Sequence, residues 1–264
     1  MDSAKSTPVE PAHKGILRDE TVVLRWIFGY SCNAQLINGM SWPGIPQTSV
    51  PLENGVIQRV EVGVSYLKAQ ALEELHGKST QGDDLASHVI KSYHLVFGSK
   101  VAFSWKNYHF LLGKTRPIKI TDLGTFLNGF TRKPYVLVVH GGWQELSLLS
   151  LLNIKLEPVF VIDTVKAAQF PLQLWYRNSL KELLKESGIP YSHLHIAGND
   201  AHLTLRVFLM IAVRDVEIQL EGENLPDWIP ILKAVARSPL PPRPLTKHEI
   251  TEAERHTTIE AKEA

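Results

Sequence analysis

"YVLVVHGGWQELSLLSLLNIKLEPVFVIDT", residues 135–164, sets two short apolar runs around a leucine-rich segment. The runs "YVLVVHG" (135–141) and "VFVIDT" (159–164) are too short and too β-branched for helices, and neither has a polar face. That pattern predicts sheet strands covered on both sides. Between them "WQELSLLSLLNI" predicts a helix with Leu146, Leu149 and Leu152 on one stripe. A strand, a crossover helix and a second strand make a parallel unit, so the fold class is α/β.

Working outward, "SLKELLKESGI" places Leu180, Leu183 and Leu184 at helical spacing and stops at Gly188, with Pro190 beyond. "DAHLTLRVFLMIAVRD" (200–215) predicts a long, mostly buried helix. Upstream, "TVVLRWIFGY" (21–30) is β-branched and aromatic and predicts a strand, and "GMSWPGIPQTSVPLENG" (39–55), with three prolines and three glycines, a loop. "VIQRVEVGVSYL" (56–67) predicts a second strand paired with the first, and "KAQALEELHG" a short helical element. Aromatic-rich segments at 89–97 and 101–112 precede a helix over 120–130, with Thr121 as its candidate N-cap. Antiparallel strands early and parallel crossovers late predict a mixed sheet flanked by helices. The boundaries expected are a loose tail over 1–18, one domain over 19–236 and a second loose tail over 237–264.

Composition narrows the function classes. The formal net charge of +1 sets up no global field for a polyanion. A single cysteine, Cys32, excludes an internal disulfide and any multi-cysteine metal site. No stretch reaches the roughly 18 apolar residues of a membrane span, and "MDSAKSTPVEPAHKG" lacks the apolar core of a signal peptide. The expectation is therefore a cytosolic or nuclear protein with no membrane partner. Locally, Lys100, Lys106, Lys114, Arg116, Lys119, Arg132 and Lys133 face only Asp122, interleaved with Trp105, Tyr108, His109 and Phe110. This segment reads either as a phosphate-contacting face or as an ordinary solvated strand pair.

"HIAGNDAHLTL" (195–205) carries the densest chemistry: His195 five residues before Asp200, at the start of the long helix. Its succession after "IDT", "SLKELL" and "SGIPYSHLH" resembles the third motif of the DEDDh family of 3′–5′ exonucleases, which have a ribonuclease H-like fold. "YVLVVHGGWQELSLLSLL" is similar to that family's second motif, with Glu145, five residues past His140, where the family usually has aspartate. The resemblance covers 134–213 well and 20–133 loosely. "VIQRVEVGVSYL" and "FLLGKTRPIKITDLGTFLNGF" look closer to a fungal branch with Gfd/QIP-like domains, associated with RNA export and gene silencing. The resemblance implies Asp200 and Glu145 as ligands of Mg²⁺ or Mn²⁺ and His195 as general base, in a two-ion cleavage of phosphodiesters.

The family's first strand carries Asp-x-Glu. No carboxylate falls between Thr21 and Pro51; Asp19 and Glu20 precede the apolar run, and Glu61 in the next strand is the nearest spare acid. Arg25, Trp26 and Ile27 hold the expected place, and an arginine there would repel cations. The reading is thus a degenerate exonuclease-like domain that binds single-stranded RNA or DNA through Lys100, Lys106, Lys114, Arg116 and Lys119, or binds a protein partner. An active exonuclease, with acids drawn from Asp19/Glu20 or Glu61, and a pure protein scaffold are the alternatives. Each residue also has a structural reading: His195 as a bonded histidine at a helix entrance, Asp200 or Asn199 as an N-cap, Glu145 as a first-turn acid, Asp163 as a cap and His140 as packing beside the site.

Overall fold

The computed structural model describes residues 15–30, 41–44, 52–53, 56–57, 60–75, 84–97, 109–221 and 224–242. One mixed sheet organises them. Its strands, in chain order, are β1 (Ser41–Gly44), β4 (Val60–Lys68), β5 (Ile90–Phe97), β6 (Arg116–Pro117), β7 (Val136–Val139) and β8 (Phe160–Asp163). A separate two-stranded hairpin joins β2 (Leu52–Glu53) to β3 (Val56–Ile57). The spatial order is β6-β5-β4-β1-β7-β8. β1 pairs antiparallel with β4 and parallel with β7, and β7 with β8 is also parallel.

The predicted parallel unit is present. β7 is buried at all four residues, and alternation sends Val136 and Val138 to one core and Leu137 and Val139 to the other. β8 departs from expectation: it is an edge strand, and one of its faces also lacks cover, with Val161 43% exposed. The crossover helix α5 (Trp143–Leu151) buries Leu148 and Leu149, and Leu152 just beyond it packs on the same core, while Leu146 faces outward. Of the expected stripe, Leu149 and Leu152 hold and Leu146 does not.

The largest correction concerns 21–30. That segment is not a strand but helix α1 (Asp19–Ile27), with Thr21, Leu24 and Ile27 buried at a spacing of three. Val22, whose branching suggested a strand, is exposed. Asp19 and Glu20 in its first turn and Arg25 in its last suit the helix dipole. The partner of β4 is instead β1, a strand inside the segment expected as loop, and β5 flanks β4 on its other side. Thr121 caps nothing: a 3₁₀ turn over Ile120–Asp122 leads into α4 (Leu123–Asn128). The short elements α2 (Ala69–Glu73) and α3 (Leu85–Val89) connect β4 to β5.

Behind the sheet runs α8 (Ala197–Gln219), buried from Ala197 to Val213. α6 (Thr164–Ala167), α7 (Leu180–Glu186) and α9 (Trp228–Arg237) pack with it. α7 begins with a capping box between Ser179 and Glu182 and ends before Gly188, whose φ of +64° turns the chain. The segment 228–237 drew no expectation, yet α9 buries Ile229, Ile231, Leu232, Val235 and Ala236 against α8.

α8 meets β4 at backbone distance. A Cβ on Gly63 would lie 1.8 Å from the Ala197 carbonyl oxygen, and one on Gly198 would lie 2.8 Å from the His94 Cβ. Gly63→Ala therefore forces the start of α8 off the sheet. The expected loss is about 3 kcal/mol or more of unfolding free energy, read by chemical denaturation. A loss below about 1 kcal/mol would mean that the contact is not a close one.

Candidate functional site: one end of the mixed sheet

Register fixes where the chemistry-bearing residues collect. Gly44 aligns with Ser65 of β4 and with Val138 of β7. The carboxyl end of β1 therefore lies at the same end of the sheet as His140 beyond β7 and Asp163 at the end of β8. Glu61, near the start of the antiparallel β4, lies at that same end, as does the first turn of α8 against Gly63. Ligands in sheets of this kind gather at the carboxyl ends of the parallel strands.

On the β4 flank, "HIAGND" forms a packed knot. Asp200 lies in the first turn of α8, and its carboxylate accepts from the His195 backbone N–H at 3.0 Å (Oδ2) and 3.3 Å (Oδ1). The N-cap is Ile196, with no side-chain cap, so neither Asn199 nor Asp200 is the cap expected from sequence. Asp200 is 1% exposed, and burial raises its pKa to about 7 against the opposing pull of the His195 N–H. His195 is exposed and sits at φ +68°, in the left-handed region that non-glycine residues seldom adopt. Asn199 donates to the His109 and His193 carbonyls at 2.8 and 3.0 Å and accepts from the Leu111 N–H at 3.1 Å. It thereby ties two loops to the helix. Glu61, also buried, is 3.4 Å from His94 Nε2, whose Nδ1 meets the Thr115 hydroxyl at 2.9 Å.

The β7 flank is a second polar group. The Thr164 hydroxyl donates to the Val139 carbonyl at 3.1 Å, so His140 Nδ1, 2.9 Å from that oxygen, is the donor to it. His140 is then neutral with its proton on Nδ1, and burial lowers its pKa to about 4 although Asp163 pulls the other way. Asp163 caps α6 by accepting from the Val165 N–H and also takes the Gly141 N–H. Glu145, 6% exposed in the first turn of α5, has its pKa raised chiefly by burial, with Asp163 adding to the rise.

The structure thus joins His195 to Asp200, and Glu145 electrostatically to Asp163, but does not merge the two groups. Among the described residues no group of three His, Cys, Asp or Glu side chains is placed to hold a metal ion. The strand between the groups is β1, whose sequence Ser-Trp-Pro-Gly has no carboxylate. These residues do not fit the two-ion centre that the DEDDh resemblance implies.

Two expectations about acids and bases change. Arg25 does not enter this site: its guanidinium binds Asp215 through Nε at 2.7 Å and Nη2 at 2.9 Å. Asp215 lies fifteen residues along α8 from Asp200, about 22 Å at the helical rise. Glu20 pairs with Lys166 at 3.0 Å. Of the basic residues, Lys114, Arg116 and Lys119 are exposed along and beside the edge strand β6, with Arg116 over the Tyr93 ring at 5.1 Å. Lys100 and Lys106 lie outside the described residues.

Sequence reasoning missed the staple role of Asn199, which only its two bonds to the 109–111 loop reveal. It also missed Asn178, which is 8% exposed with a buried Oδ1 that has no hydrogen-bond partner. Beneath the sheet, His202 meets the Ser92 hydroxyl at 3.1 Å, and that hydroxyl is 2.8 Å from Ser65 Oγ.

The family model described as DNA polymerase III subunit epsilon-like, C-terminal domain (DEDDh_C) matches residues 53–211, more than half of the chain. The matched span runs from β2 into α8 and begins after β1. No curated protein matches the chain.

Two histidines give the fold an acid-side signature. Burial holds the His202 pKa at about 3, with Arg206 lowering it further, and that of His140 at about 4. Both lie below the unfolded value of about 6.5, so their neutral forms cost nothing above pH 6.5. As pH falls from 6.5 toward 4, the unfolded chain takes up protons that the folded one refuses. Each histidine should lower the unfolding free energy by up to about 1.4 kcal/mol per pH unit, and Asp200, whose folded pKa of about 7 lies above its unfolded value, should offset about one of them over the same range. His202→Gln should remove about 1.4 kcal/mol per pH unit of slope. Denaturation curves between pH 4 and 8 check this; an unchanged slope in the variant would contradict it.

Proposed function

From a chain that belongs to the DEDDh family, through its DNA polymerase III subunit epsilon-like C-terminal domain, we propose an exonuclease-like domain that binds nucleic acid and has lost efficient metal-dependent hydrolysis. One observation carries the loss: β1 occupies the central position between β4 and β7, and it has no acid. Nor does any carboxylate occur from Thr21 to Pro51, so no shift of register along that segment supplies one. A phosphodiester-cleaving pair of divalent ions needs several oxygen ligands on rigid elements. Glu145 and Asp200, on opposite flanks of β1, are too few.

Single-stranded nucleic acid, RNA before DNA, is the ligand this reading assigns to the exposed strip Lys114–Arg116–Lys119. The strip leaves the 109–111 loop that Asn199 ties to α8, so it adjoins the Asp200 flank. A protein partner in RNA metabolism or silencing, and a place in the cytoplasm or nucleus, belong to the same proposal, as does the fungal Gfd/QIP-like branch. Among the described residues no helix is long and apolar enough to cross a membrane.

The test uses the full chain with labelled single-stranded RNA and DNA. With Mg²⁺ or Mn²⁺ at high protein concentration, no trimming is expected beyond that of a His195→Ala/Asp200→Asn double variant. Retention at low salt is expected, weakening as salt rises. Reversing Lys114, Arg116 and Lys119 to Glu should weaken binding at least tenfold and reduce the log–log salt slope by about 2, at roughly 0.7 per phosphate contact. Trimming that Asp200→Asn abolishes would establish the alternative, an active 3′–5′ exonuclease. Absence of retention would leave the protein-scaffold reading.

A further inference from the structure

A cavity of about 590 Å³ opens where β7 and β8 end, between the starts of α5 and α7. It lies toward the β8 edge of the sheet, opposite the β6 edge that carries the basic strip. Asp163 is among its lining residues, but Glu61, Glu145, His195 and Asp200 are not. Its size suits a small organic ligand.

Three features of its wall point to one ligand chemistry. Trp143, the first residue of α5, is 77% exposed and lines the cavity together with the apolar side chains of Val139, Val161 and Val165. Asn178 lines the cavity while nine-tenths buried, and its Oδ1 has no hydrogen-bond partner. A buried amide oxygen without a partner costs about 1–3 kcal/mol, which a donor on a ligand would recover once the amide turns toward the cavity, since Oδ1 itself has no surface open to it. Arg177 is the third feature. The lining charges balance, Glu20 and Asp163 against Lys166 and Arg177, but Glu20 is paired with Lys166 and Asp163 is held by two backbone N–H groups. Among the described residues Arg177 is an exposed cation with no ion-pair partner.

A flat surface for stacking, a carboxamide for an edge with adjacent donor and acceptor, and a free guanidinium for an anion are together the complement of a nucleotide. We propose that this cavity is a nucleotide-binding pocket: the base lies on Trp143 with its polar edge on Asn178, and the phosphate meets Arg177. The nucleotide is either free or one unit of a single strand. The proposal goes beyond the nucleic-acid reading above and does not depend on it, because the two use opposite edges of the sheet.

Calorimetric titration of the full chain tests it with adenosine 5′-monophosphate, adenosine, ribose 5-phosphate and inorganic phosphate. Adenosine 5′-monophosphate should bind at least tenfold tighter than any of the three fragments. Trp143→Ala, at an exposed position, should weaken it about tenfold. Arg177→Glu should abolish the advantage over adenosine while adenosine itself binds as before. A five-residue adenylate strand separates the two sources: tighter binding than the mononucleotide, lost in Trp143→Ala, assigns a strand, and weaker binding assigns a free nucleotide. Glutamate substitution at 114, 116 and 119 should leave mononucleotide affinity unchanged, so failure of the basic strip and failure of this pocket are read separately. Equal affinity for the mononucleotide and inorganic phosphate, or no effect of Trp143→Ala, overturns the proposal.

Discussion

α8 starts where β4 has no side chain. At Gly63 the strand backbone lies so near the Ala197 carbonyl that any Cβ would overlap it, and Gly198 is held as closely by His94 and Phe110. That approach positions the β4 flank of the candidate site. It places Asp200 under the His195 N–H, carries Asn199 to the 109–111 loop, and sets Glu61 and His94 one strand-step away. Contact this close tolerates no extra methyl group, because interiors are packed as densely as organic crystals.

The rest of α8 secures the helix along its length by polar contacts that a buried helix can satisfy in few ways. Arg206 is fully buried and donates to the Ala236 carbonyl at 2.7 Å and to the Ser238 carbonyl, so a cation stabilises the end of α9, where helix carbonyls are free. Burial lowers its pKa to about 10, with Asp84 opposing the shift. Further on, Asp215 accepts from Arg25 and from the Tyr30 hydroxyl at 3.1 Å, which fixes α1 across the back of the sheet. Removing one member of such a pair would strand a buried charge, at a cost of roughly 3–5 kcal/mol. The arginine whose position in the sequence suggested a spoiled metal pocket is therefore a structural anchor.

The second half of the fold was legible because its signals are local. Two β-branched runs, a capped helix with leucines at 180, 183 and 184, and a long apolar helix each state their own period. The first half was not, for two physical reasons. In α1, Val22 and Val23 mimic a strand, while the buried spacing of Thr21, Leu24 and Ile27 becomes decisive only once α8 and β8 are there to bury it. In β1, Pro43 and Gly44 read as loop, and the strand exists because β4 and β7 supply partners on both sides. Of the site, the place of His195 and Asp200 at the start of the long helix was legible from the surrounding sequence, but their contact, through the His195 backbone N–H, was not. The cavity beside Trp143 was not, since exposure of an aromatic residue is a property of the assembled surface.

These two halves bear unequally on catalysis. Ala197, Gly198, Asn199 and Asp200 each have a packing or hydrogen-bonding task that holds the helix to the sheet whether or not a metal ion ever binds. The presence of that motif therefore fits a hydrolase and a binding module equally well. β1 is different, because its backbone already has partners on both sides, and an acidic side chain there would add charge without any structural need. A carboxylate on β1 would thus point to a ligand, whereas Glu61 on β4 has His94 as its partner. Discrimination between the two readings accordingly lies in the Ser-Trp-Pro-Gly strand rather than in the better-formed helix start.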